Sequence, residues 1–128
     1  MIEAVLFDID QTLYDQRAAQ SERVMAAMDA MGTVFDGLSR ADACEAFARA
    51  NRSALDEEDM PVFVFRKRRS GLFLRAMGIS EEHAEAFTHQ FVTLRHQKTC
   101  ALPGATAVVR DLASRYRVGI VSNGIRSL

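Results

Sequence analysis

Two carboxylates one residue apart, Asp8 and Asp10, close the apolar run Val5-Leu6-Phe7 near the start of the chain. In an extended strand the side chains alternate, so both acids point to the same side. Like charges so placed repel, and burial makes each costlier. A cation beside them resolves the conflict. Hard oxygen ligands of this kind suit Mg²⁺, which takes one or two carboxylates together with phosphate oxygens and waters. A second apolar run, Val118-Gly119-Ile120-Val121, stops on Ser122-Asn123-Gly124. A carboxylate nucleophile, a second carboxyl for proton transfer, a hydroxyl and fresh backbone N–H groups together fit phosphoryl transfer through an aspartyl-phosphate.

The elements that must position these groups are two strands and the helices between them. Ala4-Val5-Leu6-Phe7 is continuously apolar rather than alternating, and 116–121 reads the same way. Both patterns predict parallel strands buried on both faces. Ligands of open parallel sheets bind beyond the carboxyl ends of the strands, where Asp8, Asp10, Ser122 and Asn123 stand. Ser21 is a fitting cap for a helix with Val24, Met25, Met28 and Met31 on its apolar positions, stopped by Gly32. Ser39-Arg40-Ala41-Asp42 matches a capping box before an Ala-rich helix that carries Phe47. Pro61 suits a helix start, with a short strand over Val62-Phe63-Val64-Phe65 as the other reading. Ser80-Glu81-Glu82 opens a helix with Ala84, Phe87, Phe91 and Leu94 on one stripe. A last helix runs from Gly104 to Ser114.

Composition narrows the function classes. With 128 residues the chain can bury one core, and its 48% hydrophobic and 26% charged shares are those of a globular protein. A net charge of -1 offers no field for nucleic acid or an anionic membrane. No segment has the length and apolarity of a membrane span, and the N-terminus lacks a signal peptide's pattern. Cys44 and Cys100 have no metal-site spacing, so reduced thiols in a cytoplasm are expected.

The motif Asp8-Ile9-Asp10-Gln11-Thr12-Leu13, following Val5-Leu6-Phe7, resembles the first motif of the haloacid dehalogenase-like hydrolase superfamily. Val118-Gly119-Ile120-Val121-Ser122-Asn123-Gly124 is similar to its second motif, and Leu102-Pro103-Gly104-Ala105 to the segment that returns from a helical cap to the core. The resemblance implies an α/β fold: a Rossmann-like parallel sheet core, incomplete in this chain, with an inserted α-helical cap. Residues 1–14 and 100–128 would form portions of the core and 15–99 the cap. It implies a Mg²⁺-dependent phosphatase of the nucleotidase or sugar-phosphate type, acting on a small phosphorylated metabolite. Asp8 would attack phosphorus and ligate Mg²⁺. Asp10 would protonate the leaving alcohol, activate water and ligate the metal through its backbone carbonyl. Thr12 would steady the loop, and Ser122 with the Asn123 amide would hold phosphoryl oxygens. Dehalogenases of the superfamily lack a carboxylate at the position of Asp10, so its presence favours phosphate.

Two departures from the family pattern stand out. Gln11 occupies a position where Gly is frequent, which bears on the conformation of that turn. The family's third and fourth motifs supply a Lys and acidic metal ligands, yet the six residues after Ser122 contain no Lys, Asp or Glu. The chain reads as the front portion of such a protein, weak or inactive alone. Phosphomutase activity and a non-catalytic fragment, self-associating to complete its sheet, are the alternatives. A receiver-like signalling domain fits poorly, because its phosphorylated Asp lies mid-chain among regularly alternating strands and helices.

Other conspicuous residues have plainer readings. Tyr14 and Asp15 leave both substrate contact and surface loop open. Arg66-Lys67-Arg68-Arg69 reads as a solvated helix face, with contact to a substrate phosphate as the minority view. His83, His89 and His96 lack the spacing of a metal pair and read as surface residues, and the methionines as packing.

Overall fold

The computed structural model describes residues 1–56, 60–96 and 101–122. The expectations for Cys100, Asn123, Gly124 and the His96 side chain lie outside the described residues. The elements run β1 (Ala4–Phe7), α1 (Gln16–Met31), α2 (Arg40–Leu55), α3 (Val62–Ala76), α4 (Ala84–Thr93), α5 (Ala105–Ala113) and β2 (Arg117–Ile120). Among the described residues, 1–19 and 101–122 make one compact unit and 20–56 with 60–96 another. The fold is mixed α/β, as the sequence led one to expect.

In the first unit β1 and β2 pair in parallel, with Ala4 opposite Arg117 and Phe7 opposite Ile120. The ladder extends at both ends: the Arg117 amide donates to the Glu3 carbonyl at 3.1 Å and the Val121 amide to the Phe7 carbonyl at 2.8 Å. Gly119 faces Leu6 across the ladder, and a Cβ added there would meet Leu6 Cδ2 at 2.8 Å. Helix α5 packs against β2, and its half-buried residues Ala105, Val109 and Leu112 recur at helical spacing.

One expectation fails here. Neither strand is buried on both faces: β1 alternates exposed and half-buried residues, and Leu6 and Ile120 are 65% and 60% exposed. A continuous apolar run predicts cover on both faces only when a sheet has several strands and helices above and below. Among the described residues this unit has two strands, helix α5 and the first turn of α1, too little to bury both faces.

The helical unit holds nearly all the fully buried apolar residues. Its centre is aromatic. Phe47 and Phe91 lie 4.6 Å apart by ring centroid, Phe73 and Phe87 4.8 Å, and Phe47 meets Phe73 edge-on at 5.5 Å. These rings come from α2, α3 and α4, while Val24 and Met28 of α1 join the same cluster. Small residues allow the close approach: Ala43, Ala46 and Ala50 form the buried stripe of α2. Between α3 and α4 the Ser70 and Thr88 hydroxyls lie 2.7 Å apart.

Local chemistry sets the helix ends. The Ser39 hydroxyl accepts the Asp42 amide at 3.2 Å, the cap of α2. Pro61 precedes α3 with φ -55° and ψ 142°, so 62–65 are helical and the strand alternative falls. Ser80 caps a short 3₁₀ turn that leads into α4. Helix α1 departs from expectation: it begins at Gln16, five residues before Ser21. Asp15 is its cap, with Oδ1 accepting the Ala18 amide at 3.0 Å, so Ser21 stands in the second turn. Gly32, at φ 57°, ends the helix in a left-handed conformation that costs glycine little.

Candidate functional site

The carboxyl ends of the two parallel strands carry the polar residues singled out in the sequence. The alternation of β1 continues past its last residue, with Asp8 and Asp10 exposed and Ile9 half-buried. Asp8 follows Phe7 directly, and Ser122 lies two residues past Ile120. Because the Val121 amide still bonds to the Phe7 carbonyl, the chain enters Ser122 level with Ile9, the residue flanked by the two acids. Asp8, Asp10, Thr12 and Ser122 are all exposed. Asn123 lies outside the described residues.

A tight turn follows, and its centre is one carbonyl. Ile9 O accepts the amides of Thr12, Leu13 and Tyr14 at 3.2, 3.0 and 3.0 Å. The Tyr14 carbonyl accepts the amides of Gln11 and Gln16 at 2.8 and 3.0 Å. Gln11 sits at the bend with φ 59°, in the left-handed region that ordinarily favours glycine. Its side chain answers part of that cost: Gln11 Oε1 accepts the Arg17 amide in the first turn of α1 at 3.1 Å. The turn thus joins the acid pair to the helix start by hydrogen bonds that the Gln11 and Asp15 side chains accept.

Tyr14 and Asp15, left open by the sequence, have structural work here. The Tyr14 backbone bridges to Asp10 on one side and Ala101 on the other, and the Asp15 carboxylate is committed to the helix cap.

The family model of the haloacid dehalogenase-like hydrolases matches residues 2–128. The chain belongs to that family. A search of curated proteins finds no significant match. Among solved structures, YfnB from Bacillus subtilis, described as a HAD-hydrolase and bound to magnesium in a form that reveals interdomain movement, superposes with a TM-score of 0.80. It is 18% identical over 97% of this chain and 55% of its own. The 2-haloacid dehalogenase from Pseudomonas syringae pv. Tomato DC3000 gives a TM-score of 0.54 and 23% identity, over 99% of this chain and 57% of its own. At these identities the likeness shows the fold. The chain spans little more than half the length of the solved structures it matches.

Within this hydrolase fold the oxygens at the strand ends suit a hard cation. Asp8 and Asp10 offer two exposed carboxylates, and the three amides that close the turn bond to the Ile9 carbonyl rather than to that of Asp10. A main-chain oxygen beside two carboxylates is the donor set of an ion that prefers oxygen and keeps several waters. No group of three or more His, Cys, Asp or Glu forms among the described residues, so this set is small. Among the described residues no helix is long and apolar enough to cross a membrane.

Sequence reasoning placed one basic run wrongly. In Arg66-Lys67-Arg68-Arg69, Lys67 and Arg68 are exposed as a solvated face requires, but Arg69 is buried. Nothing in the run itself distinguishes the fourth position. The signal lies elsewhere, in Phe47 and Phe91 on other helices, whose rings its guanidinium meets.

Proposed function

We propose that this hydrolase acts on phosphomonoesters with Mg²⁺, using Asp8 as nucleophile, in a core of residues 1–14 and 100–128 with 15–99 as a helical cap. The observation that carries the reading is the exposed pair Asp8 and Asp10 at the end of a parallel strand, with the Ser122 backbone held level with the residue between them.

Each residue then has a task. Asp8 attacks phosphorus and becomes the aspartyl-phosphate, while the alcohol leaves with a proton from Asp10. Asp10, now a carboxylate, takes a proton from the water that attacks the same phosphorus and releases Asp8. Ser122 donates its hydroxyl to a phosphoryl oxygen, the Asn123 amide supports it, and Thr12 steadies the turn. Mg²⁺, when bound, would be held by the Asp8 carboxylate and the Asp10 carbonyl and would supply positive charge against the transferred group. A second acid at position 10 supports phosphate over a carbon–halogen bond, since attack on carbon requires no proton for a departing halide. The substrate is a small phosphorylated metabolite met in the cytoplasm, and the 128-residue chain by itself turns it over slowly.

Hydrolysis of p-nitrophenyl phosphate at millimolar Mg²⁺ tests this reading, together with Mg²⁺ titration of the isotope-labelled chain. Slow turnover abolished by Asp8→Asn and by chelation is expected, with a Mg²⁺-dependent shift of the Asp8 amide. Turnover that survives Asp8→Asn, or neither turnover nor a shift, refutes it.

The bare strands favour a second reading of the chain in isolation. Leu6, Ile120 and Val121 are 65%, 60% and 56% exposed, and unpaired strand edges with apolar faces associate. The reading is a homo-oligomer that covers the sheet. Light scattering behind size-exclusion chromatography decides it, and a clean monomer at high concentration removes it.

A further inference from the structure

Arg69 keeps 8% of its surface exposed, within the helical unit. Its guanidinium carbon lies 4.8 Å from the ring centroids of Phe47 and Phe91 and 5.4 Å from that of Phe65. Nη1 donates to Asn51 Oδ1 at 3.2 Å. Nε is buried and has no hydrogen-bond partner among the described residues. Two further arginines stand close. Arg23, also 8% exposed, places its guanidinium 4.8 Å from the same Phe91 ring, and Arg66 lies three residues earlier on α3, one helical turn away.

Two costs are therefore stacked on one side chain: an orphaned buried N–H and like charges nearby. Burial first, then the charges of Arg23 and Arg66, push the Arg69 guanidinium down to about 10, so it still carries its proton at neutral pH. The rings answer only part of this, because aromatic faces attract the cation whereas its N–H groups point within its own plane. The Asn51 carbonyl satisfies Nη1. What remains is the edge formed by Nε and Nη2, a fork of two parallel donors whose natural complement is a pair of oxygens on one anion.

We propose that the Nε–Nη2 edge of Arg69, with Arg23 and Arg66 beside it, binds an oxyanion, the phosphate or carboxylate of a small molecule. The 8% of Arg69 still open is the approach, and half-exposed Arg66 forms its rim. This site uses none of the residues assigned to chemistry at the strand ends and stands whether or not Asp8 is a nucleophile. Its physical basis is local to Arg69: an anion gives Nε its missing acceptor and offsets the buried guanidinium's charge.

The test is a titration of the full isotope-labelled chain, read at the Arg69 Nε–Hε resonance assigned through its own side-chain carbons. Inorganic phosphate and acetate form separate arms, and sodium chloride at matched ionic strength is the control. A saturable shift with phosphate, acetate or both supports the site, and the tighter arm names the anion class. No shift in either arm, or the same shift with chloride, overturns it. Arg23→Gln, in a variant shown to be folded by its amide spectrum, should weaken the binding about threefold. Unchanged affinity there removes Arg23 from the site.

Discussion

The Val121 amide donates to the Phe7 carbonyl at 2.8 Å, one step beyond the last paired residues of the two strands. That bond fixes where the second strand's polar end begins. With Val121 level with Asp8, Ser122 follows level with Ile9, at the height of the acid pair. If Ser122 donates to a phosphoryl oxygen, a charge-assisted bond is lost on truncation. Ser122→Ala should then lower kcat/KM for p-nitrophenyl phosphate about tenfold or more, with the fold unchanged by circular dichroism. An effect below twofold would leave the hydroxyl without that task.

Gln11 offers a separate measurement on the turn. Its left-handed φ of 59° carries a steric cost of roughly 1–2 kcal/mol, and its Oε1 accepts the Arg17 amide. Gln11→Ala loses the acceptor and keeps the cost. Gln11→Gly loses the acceptor and the cost together. The Gly variant should therefore be more stable than the Ala variant by about 1 kcal/mol in urea unfolding. Equal stabilities would mean the turn relaxes out of the left-handed region when the side chain is removed.

In the helical unit one hydroxyl proton determines another. Thr88 Oγ1 donates to the Ala84 carbonyl at 2.7 Å, which leaves its lone pairs to accept from Ser70 Oγ, also at 2.7 Å. Ser70 is fully buried. Thr88→Val strands that hydroxyl and should cost about 1–3 kcal/mol. Adding Ser70→Ala to Thr88→Val should cost less than the two single changes summed, by about 1 kcal/mol. Strict additivity in the four-way comparison would show that the pair does not interact.

The sequence was informative where the deciding signal is local. Ser39, Pro61, Ser80 and Gly32 each mark a helix boundary through chemistry confined to one turn, and the structure has caps or stops at all four. The acid pair was readable for the same reason, since a period of two needs only neighbouring residues. Asp15 was obscured by its position: it lies two residues past a motif whose acids suggest chemistry, so its carboxylate did not read as a cap, and Ser21 drew the helix start too far along. Arg69 was invisible because its burial depends on Phe47 and Phe91, 22 residues away on either side of it. The strands misled through an assumption about neighbours. Apolar residues predict burial only when something lies against both faces, and no strand sequence reports how many partners it has.

Gly71 tests how far a surface ion pair yields to a helix. It is buried in α3, and a Cβ there would come 3.0 Å from Glu81 Oε2 and no nearer to any other atom. Glu81 is bonded to Arg75 Nε at 2.7 Å, and its side chain is 49% exposed. Glycine inside a helix costs about 1 kcal/mol relative to alanine, whereas an exposed ion pair of this kind is worth a few tenths to about 1 kcal/mol and need only shift. The backbone gain exceeds the side-chain loss. Gly71→Ala should therefore raise stability by about 0.5 kcal/mol, read as a higher urea midpoint at an unchanged slope. Gly71→Val adds two further methyl groups at the same approach and a branched Cβ within a helix, so it should fall below the parent. If Gly71→Ala also falls below the parent, the Glu81 carboxylate is held in place, and the interaction between α3 and the turn before α4 is stiffer than its exposure suggests.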